Sequence, residues 1–264
     1  MRQHPDAGGD FPYWLVAVFA ALVWAFWQVV TQDIYLDVLS KLSRGIWITL
    51  QVSVVGYLSA CAVGLALALM QRSGNIVVRQ VARGYVEIMR GIPILVLLLY
   101  VAFVLAPALV ALWNWSAGYT GAEELRTRDF PFVWRATLAL VLAYSSFLAE
   151  VFRAGLQSID IGQVEAAEAL GLNRWQRFRH VIWPQAVRIV MPPLGNDFVA
   201  MLKDSSLVSV VGVQDIAQIG KLTAAGNFRY FETYNVVALV YLTMTIALSL
   251  ALRAFERHLK RNDR

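Results

Sequence analysis

The densest group of chemically useful residues lies between Gln157 and Pro184, in the run QSIDIGQVEAAEALGLNRWQRFRHVIWP. Asp160 is placed to cap a helix, because a short acidic side chain accepts from the free N–H groups of a first turn. Glu165 to Leu170 are mostly good helix formers. Gly171 is placed to end that helix in a left-handed conformation, and a side chain there is expected to crowd the two short helices as well. Asn173 caps the second helix. On it Trp175, Phe178 and Val181 share one face, with Arg174, Arg177 and Arg179 around the rest. A compact helix–glycine–helix segment of this kind transmits force between the elements at its ends; it does not make or break bonds. The competing reading is an amphipathic helix that only anchors the loop at a membrane interface.

Bond-making chemistry finds little support elsewhere. His4, His180 and His258 fall in tails or loops, so no histidine-based metal site or dyad is expected at depth. Ser145-Ser146 and Ser205-Ser206 have no histidine nearby, and their hydroxyls are expected to bond to helix carbonyls. Glu150 and Asp197 could act as a carboxylate pair only if two helices brought them to one depth. Cys61 is the one cysteine. It excludes an intramolecular disulfide and reads as a small buried hydrophobe. No G-x-x-x-x-G-K-[ST] phosphate loop is present. These residues call for no cofactor and no metal.

The elements that position them are set by composition. Of 264 residues, 58% are hydrophobic and only 16% charged, against about 25% charged in a soluble domain. That is more apolar surface than a soluble domain of this size could hide, and it points to an all-α polytopic membrane protein. A crossing helix needs about 20 mostly apolar residues. Six runs qualify. Tyr13–Val30 is uncharged and is read as a retained span, being too long for the core of a signal peptide and lacking a small-x-small cleavage site. The next lies between Arg44 and Arg72. A third starts at Gly91-Ile92-Pro93 and reaches about Trp113, with Pro107 expected to kink it or end it early. A fourth runs from about Phe132 to Phe152. The fifth, about Gln185–Lys203, is the least hydrophobic, and Pro184 begins it. The sixth is Thr233–Leu252.

Six spans put both termini on one side. With that side cytoplasmic, the inside segments hold Arg2, then Arg72, Arg79, Arg83 and Arg90, then Arg153, Arg174, Arg177 and Arg179, then Arg253, Arg257, Lys260, Arg261 and Arg264. The outside segments hold only Lys41, Arg44, Arg126, Arg128, Lys221 and Arg229. The positive-inside rule therefore places both termini and residues 153–185 in the cytoplasm. The net charge of +5 is a topology signal of this kind; no nucleic-acid partner is expected.

Glu165-Ala166-Ala167, Gly171 after three residues, and Val181-Ile182-Trp183-Pro184 after nine more resemble the "EAA" signature of ABC-importer permease subunits, E-A-A-x3-G-x9-I-x-L-P. Val181 stands for Ile and Trp183 for Leu. Tyr85-Val-Glu-Ile-Met-Arg-Gly-Ile-Pro93 is similar to the Y-x-E-x-x-R-G-T-P segment of the polar-amino-acid permeases. Ala149-Glu150-Val-Phe-Arg153-Ala-Gly155 looks like their A-E-x-F-R-G-G segment, and Pro192 to Leu207 looks like their P-x-x-x-N-E-F-I-x-L-x-K-D-T-S-L segment, with Asp197 for Glu and Ser205 for Thr. The likeness covers about residues 41–255, and the added segments favour amino acids over sugars, phosphate or metals.

The resemblance implies a type I ABC-importer permease core of five spans, with Tyr13–Val30 as an extra N-terminal helix. The organisation expected is a tail and extra helix over 1–40, the permease domain over 41–255 with its coupling loop at 157–184, and a basic cytoplasmic tail over 256–264. It implies a multi-pass subunit of the bacterial inner membrane that carries a polar amino acid through the bilayer and does not itself hydrolyse ATP. The implied partners are ATP-binding cassette subunits, a second permease (identical or sister) and an extracytoplasmic solute-binding protein. Glu165, Ala166, Ala167, Gly171 and Pro184 would couple the loop to the ATPase. The alternatives are a permease for another small polar solute, such as an amino-acid derivative or an opine-like compound, and, further off, a membrane-embedded enzyme or a plain channel. Asp197 lies about 20 Å along its helix from Pro184, about two thirds of the way across a hydrocarbon core of about 30 Å. An ionisable group at that depth faces protein or water. Either Asn196 or Asp197 lines the substrate pathway, or Asp197 holds a neighbouring helix by a salt bridge or hydrogen bond. The stretch from Trp113 to Pro131 is longer than the family's usual connection, and the sequence assigns it no role.

Overall fold

The computed structural model describes residues 13–261. Arg2, His4 and Arg264 lie outside the described residues. The chain is helical throughout: α1 Tyr13–Thr31, α2 Asp33–Gln71, α3 Ile76–Gly91, α4 Ile94–Tyr100, α5 Ala106–Thr120, α6 Phe132–Gln157, α7 Ile161–Ala169, α8 Arg174–Arg177, α9 Trp183–Asp204, α10 Ile216–Asn227 and α11 Tyr230–Arg261. Among the described residues four rods are long and apolar enough to cross a membrane: α2, the continuous α4–α5 rod Ile94–Thr120, α6, and α11 over Tyr230–Arg257. α1 is a 19-residue helix with no charged residue. α9 has 22 residues but carries Arg188, Asp197 and two internal prolines, Pro192 and Pro193, which agrees with its place as the least hydrophobic expected span.

Several elements run past their expected ends. α2 begins at Asp33, well before Arg44, and so crosses the boundary expected at residue 40. Its first turns bury Val38 and Leu42 against Ile216 and Val236, and that packing offsets the charges of Asp37 and Lys41, which pair with each other at 2.7 Å on the exposed side. The main core is built by α2, the α4–α5 rod, α6 and α9, around Val52, Ala60, Leu98, Leu140, Ala143, Leu148 and Met201. Lipid is as apolar as leucine, so small residues that let backbones approach give such a seam its contact. α6 supplies Ala136, Ala139, Ala143 and Ala149, all buried. At Gly45 on α2 the approach to another backbone is closest among the described glycines, because a Cβ would lie 2.8–2.9 Å from backbone atoms of Asp215 and Ile216.

Pro107 does not end its helix. The chain takes a π turn at Val101–Leu105 and continues as α5 to Thr120. There the Ala106 N–H donates to the Val101 carbonyl, the wide spacing of a π turn. The next donor in that register would be Pro107, which has no N–H. The Ala102 carbonyl is taken instead by Arg135 Nη1 at 3.0 Å. Arg135 is only 4% exposed. Its Nε donates to the Phe130 carbonyl at 2.6 Å, its Nη2 to the Thr127 carbonyl, and its guanidinium lies 4.6 Å from the Phe132 ring centroid. One buried arginine thus serves a proline-made orphan and ties down the long connection after α5. Further along that connection Asn114 exchanges two hydrogen bonds with Leu125, both 2.8 Å, and Trp113 Nε1 donates to the Glu123 carbonyl.

Candidate functional site

The loop between α6 and α9 forms as its residue types require. Asp160 caps α7 by accepting from the Gly162 N–H at 2.7 Å. The helix closes with the Leu172 N–H donating to the Ala167 carbonyl and the Gly171 N–H to the Glu168 carbonyl, the double bond pattern of a glycine-ended helix. Gly171 has φ +80°, and a Cβ built on it would meet nothing within 4 Å. Backbone conformation, not the expected crowding, is therefore what selects glycine. Asn173 then caps α8 in a reciprocal box, its side chain accepting from Gln176 N–H while Gln176 Oε1 accepts from Asn173 N–H, each at 2.9 Å.

The second half departs from a simple short helix. α8 passes into a second π turn, Phe178–Ile182, and that turn leads straight into α9, with Pro184 near its start. Trp175 stacks on Phe178 at 5.9 Å and Phe178 meets Trp183 at 5.8 Å. α7 is fastened once to α8 and once to α9. Glu168 pairs with Arg177 across the glycine turn at 2.5 Å, and Gln185 Nε2 donates to Gln163 Oε1 at 2.6 Å.

Of the residues singled out from sequence, Glu165 and Ala166 are exposed on α7, Ala167 is buried beneath them and Pro184 is half-buried. Sequence reasoning missed Ile161 and Leu170, which stand 72% and 80% exposed at the two ends of α7; Trp175 is 68% exposed as well. A charged helix that displays large apolar residues has the composition of a docking surface.

The second expected site lies within the bundle. Asn196 is exposed and Asp197 half-buried on α9. The Asp197 carboxylate is in electrostatic reach of Tyr57 and Cys61 on α2 and Tyr144 on α6. Among the described residues no cation lies within ion-pair distance of it. Tyr57 donates to the Leu194 carbonyl at 2.5 Å and stacks on Phe198 at 4.6 Å. Tyr144 donates to Asp204 Oδ2 at 2.7 Å, a partnership the sequence did not announce. The salt-bridge alternative for Asp197 is therefore not met among the described residues, and the two tyrosine hydroxyls in electrostatic reach of it bond to Leu194 and Asp204 instead. Glu150 is not brought to Asp197, because it bonds to Arg153 on its own helix at 2.5 Å. Ser145 and Ser146 donate to the Leu142 and Ala143 carbonyls.

Comparison with known proteins bears on the family and the fold. The family model described as "Binding-protein-dependent transport system inner membrane component" matches residues 60–262, beginning inside α2 and leaving α1 outside the match. The chain is 35% identical over 219 residues to the "Glutamine transport system permease protein GlnP" of Escherichia coli (strain K12), covering 83% of this chain and 93% of that one. It is 34% identical over 230 residues to the "Probable glutamine ABC transporter permease protein GlnM" of Bacillus subtilis (strain 168), covering 87% and 98%. Among solved structures it superposes with TM-score 0.71 and 33% identity on the "Crystal structure of an amino acid ABC transporter with histidines", covering 84% of this chain and 96% of that one.

Proposed function

The chain belongs to the binding-protein-dependent transport system inner membrane components, and on that premise we propose that it forms the translocation pathway for a polar amino acid in an ATP-driven importer. The observation that carries the reading is the lever itself: α7 is exposed on one side, ended by a left-handed glycine and bonded directly to α9, the helix that bears Asp197. A push on α7 reaches the pathway helix through two side-chain bonds and one π turn. The relatives' names, glutamine permeases in two organisms, support a polar amino acid as cargo.

In this reading Glu165, Ala166, Ala167 and Gly171, with Ile161 and Leu170 beside them, seat in a cleft of an ATP-binding subunit, and Pro184 fixes where the lever ends. ATP hydrolysis resides on that partner. A second permease completes the pathway, and a solute-binding protein delivers cargo to the outer face. Both termini and the lever are cytoplasmic. Asp197 meets the ammonium group of the passing amino acid, since a carboxylate at that depth without a protein cation is costly unless it meets one in the cargo.

The test is reconstitution of this permease with its ATPase and binding protein in proteoliposomes. Binding-protein-dependent, ATP-driven accumulation of labelled L-glutamine or a related polar amino acid is expected. ATP hydrolysis that ignores every amino-acid-loaded binding protein would refute the proposal. Labelling of a cysteine at position 173 from outside intact cells, in a Cys61→Ala background, would refute the orientation.

A further inference from the structure

The turn between α10 and α11 rests on a strained residue whose side chain has no use inside the chain. Among the described residues Phe228 is the one non-glycine with positive φ, at +57°. A bulky side chain is disfavoured in that conformation, and glycine or asparagine adopts it more readily. Gly226 and Asn227 stand immediately before it, yet the left-handed step falls on the phenylalanine. Asn227 Oδ1 accepts from the Arg229 N–H at 2.9 Å and holds the turn closed. Packing within the chain does not offset the strain, because Phe228 is 82% exposed. A strained residue that persists without internal support points to a contact outside the chain.

The fold says where that contact lies. Tyr241 Oη donates to Asp215 Oδ2 at 3.0 Å, and a Cβ on Gly220 would lie 2.5 Å from Val237 Cγ2. Both pairings are centred on about residue 228, so α10 and α11 run antiparallel and Phe228 is at the tip of their hairpin. Between Glu232 and Arg253, α11 carries no charge. At about 1.5 Å per residue that stretch is about 30 Å long, the thickness of the hydrocarbon core. The tip therefore stands about one turn beyond the edge of the core, inside a headgroup layer about 5–8 Å deep. Phe231, Tyr234, Ala238, Leu242 and Ile246 follow one another at three- and four-residue spacing and are all exposed. The aromatic tip is thus continuous with the exposed apolar stripe of a crossing helix, where aromatic rings favour the headgroup level.

We propose that Phe228, with Tyr230, Phe231 and Tyr234, seats the tip of the α10–α11 hairpin in the lipid headgroup layer, and that this contact keeps a phenylalanine at the left-handed step. Arg229, exposed beside Phe228, offers a cation to lipid phosphates. The other end of α10 rests on α2, where the Ile216 N–H donates to Thr49 Oγ1 at 3.3 Å. Lipid at one end and α2 at the other fix the level of α10. The inference needs α11 to cross the bilayer and does not depend on the cargo.

The experiment uses the assembled importer in nanodiscs. In a Cys61→Ala background, nitroxide labels are attached through Phe228→Cys and Phe231→Cys. Glu124→Cys, on the exposed connection after α5, is the aqueous reference, and Leu242→Cys is the lipid reference. Collision rates with oxygen and with a water-soluble nickel chelate report depth. The oxygen-to-nickel ratio at 228 and 231 is expected to fall between the two references. A ratio equal to that at 124 would put the tip in water and overturn the proposal, as would one equal to that at 242. Low access to both reagents, from the start or only once the solute-binding protein is added, would make the tip a protein interface and overturn it as well. A second measurement reads the strain. Phe228→Asn suits the left-handed step, yet it is expected to lower the melting temperature in nanodiscs by about 2–4 °C, with Phe228→Trp holding it. An equal or higher melting temperature for the asparagine variant would show that nothing outside the chain holds the ring.

Discussion

Replacing Arg135 by methionine removes a guanidinium that three backbone carbonyls share. The Ala102 carbonyl is the costly one. Ala102 is fully buried, and the donor that would serve it in the π register is the nitrogen of Pro107. Stranding it costs about 1–3 kcal/mol. The Thr127 and Phe130 carbonyls lie on a more open segment and recover most of their loss from water. The contact with Phe132 adds about 0.5–2 kcal/mol. Removing a buried cation that has no carboxylate partner returns part of its desolvation cost. The net expectation is about 3 kcal/mol, or about 6–12 °C in the melting temperature of the solubilised permease, scaling from soluble domains of similar length. The second perturbation isolates the cause. Pro107→Ala restores an N–H where the Ala102 carbonyl lacks one, so it is expected to be nearly neutral alone and to recover about 1–2 kcal/mol in the Arg135→Met background. Thermal unfolding of the four proteins gives the coupling directly. Additivity within about 0.5 kcal/mol would show that Arg135 and Pro107 are unrelated and that the orphaned carbonyl is not why the arginine is buried.

Gly171→Val forces a β-branched residue to φ +80° at a cost of about 1–2 kcal/mol; binding-protein-stimulated ATP hydrolysis is expected to fall while membrane abundance holds, with Gly171→Ala milder, and normal stimulation with normal uptake would make the loop a passive anchor. Asp197→Asn is expected to lower uptake per inserted molecule by about tenfold, or about 1.4 kcal/mol, with abundance little changed; unchanged uptake would leave the residue structural. Gly45→Ala places a Cβ 2.8 Å from the Ile216 backbone, so a loss of about 1–3 kcal/mol is expected, read as a lower melting temperature, and no change would mean that α10 moves aside freely.

The lever was legible because each of its signals is local. A cap needs a short polar side chain next to the turn it serves, and a left-handed residue needs glycine, so Asp160, Gly171 and Asn173 announce themselves within a few residues. The apolar runs were legible for the same reason. What stayed hidden depends on partners far along the chain. Arg135 looks like an ordinary charge near the end of a span until Ala102, Thr127 and Phe130 are brought around it. The early start of α2 is invisible to a hydropathy reading, because Asp33 to Arg44 is polar on one side and its apolar side is justified only by α10 and α11. The carboxylate of Asp215 is wholly buried, accepting from Ala217 N–H, Gln218 N–H and Tyr241 Oη. Nothing in the neighbouring residues predicts that a helix 26 residues later supplies the last of these.

The two π turns have a geometric meaning beyond the prolines that follow them. A π turn holds one residue more than the α turn it replaces, so everything downstream is advanced by about 100° around the helix axis. Phe178 and Trp183, five apart, meet across such a turn where three or four would be the ordinary interval. The π turn at Val101–Leu105 is braced by a buried arginine, whereas the turn at Phe178–Ile182 is bridged by an amide side chain, Gln185 Nε2 donating to the Val181 carbonyl at 2.9 Å. The first joint is thus held by a buried side chain and the second by a half-buried one that also reaches α7. Sliding the wide turn by one residue between α8 and α9 would rotate Asp197 and its neighbours relative to α7 while breaking and remaking single hydrogen bonds. On the transport reading proposed above, a push on α7 would be converted into a twist of α9, a screw drive more than a hinge.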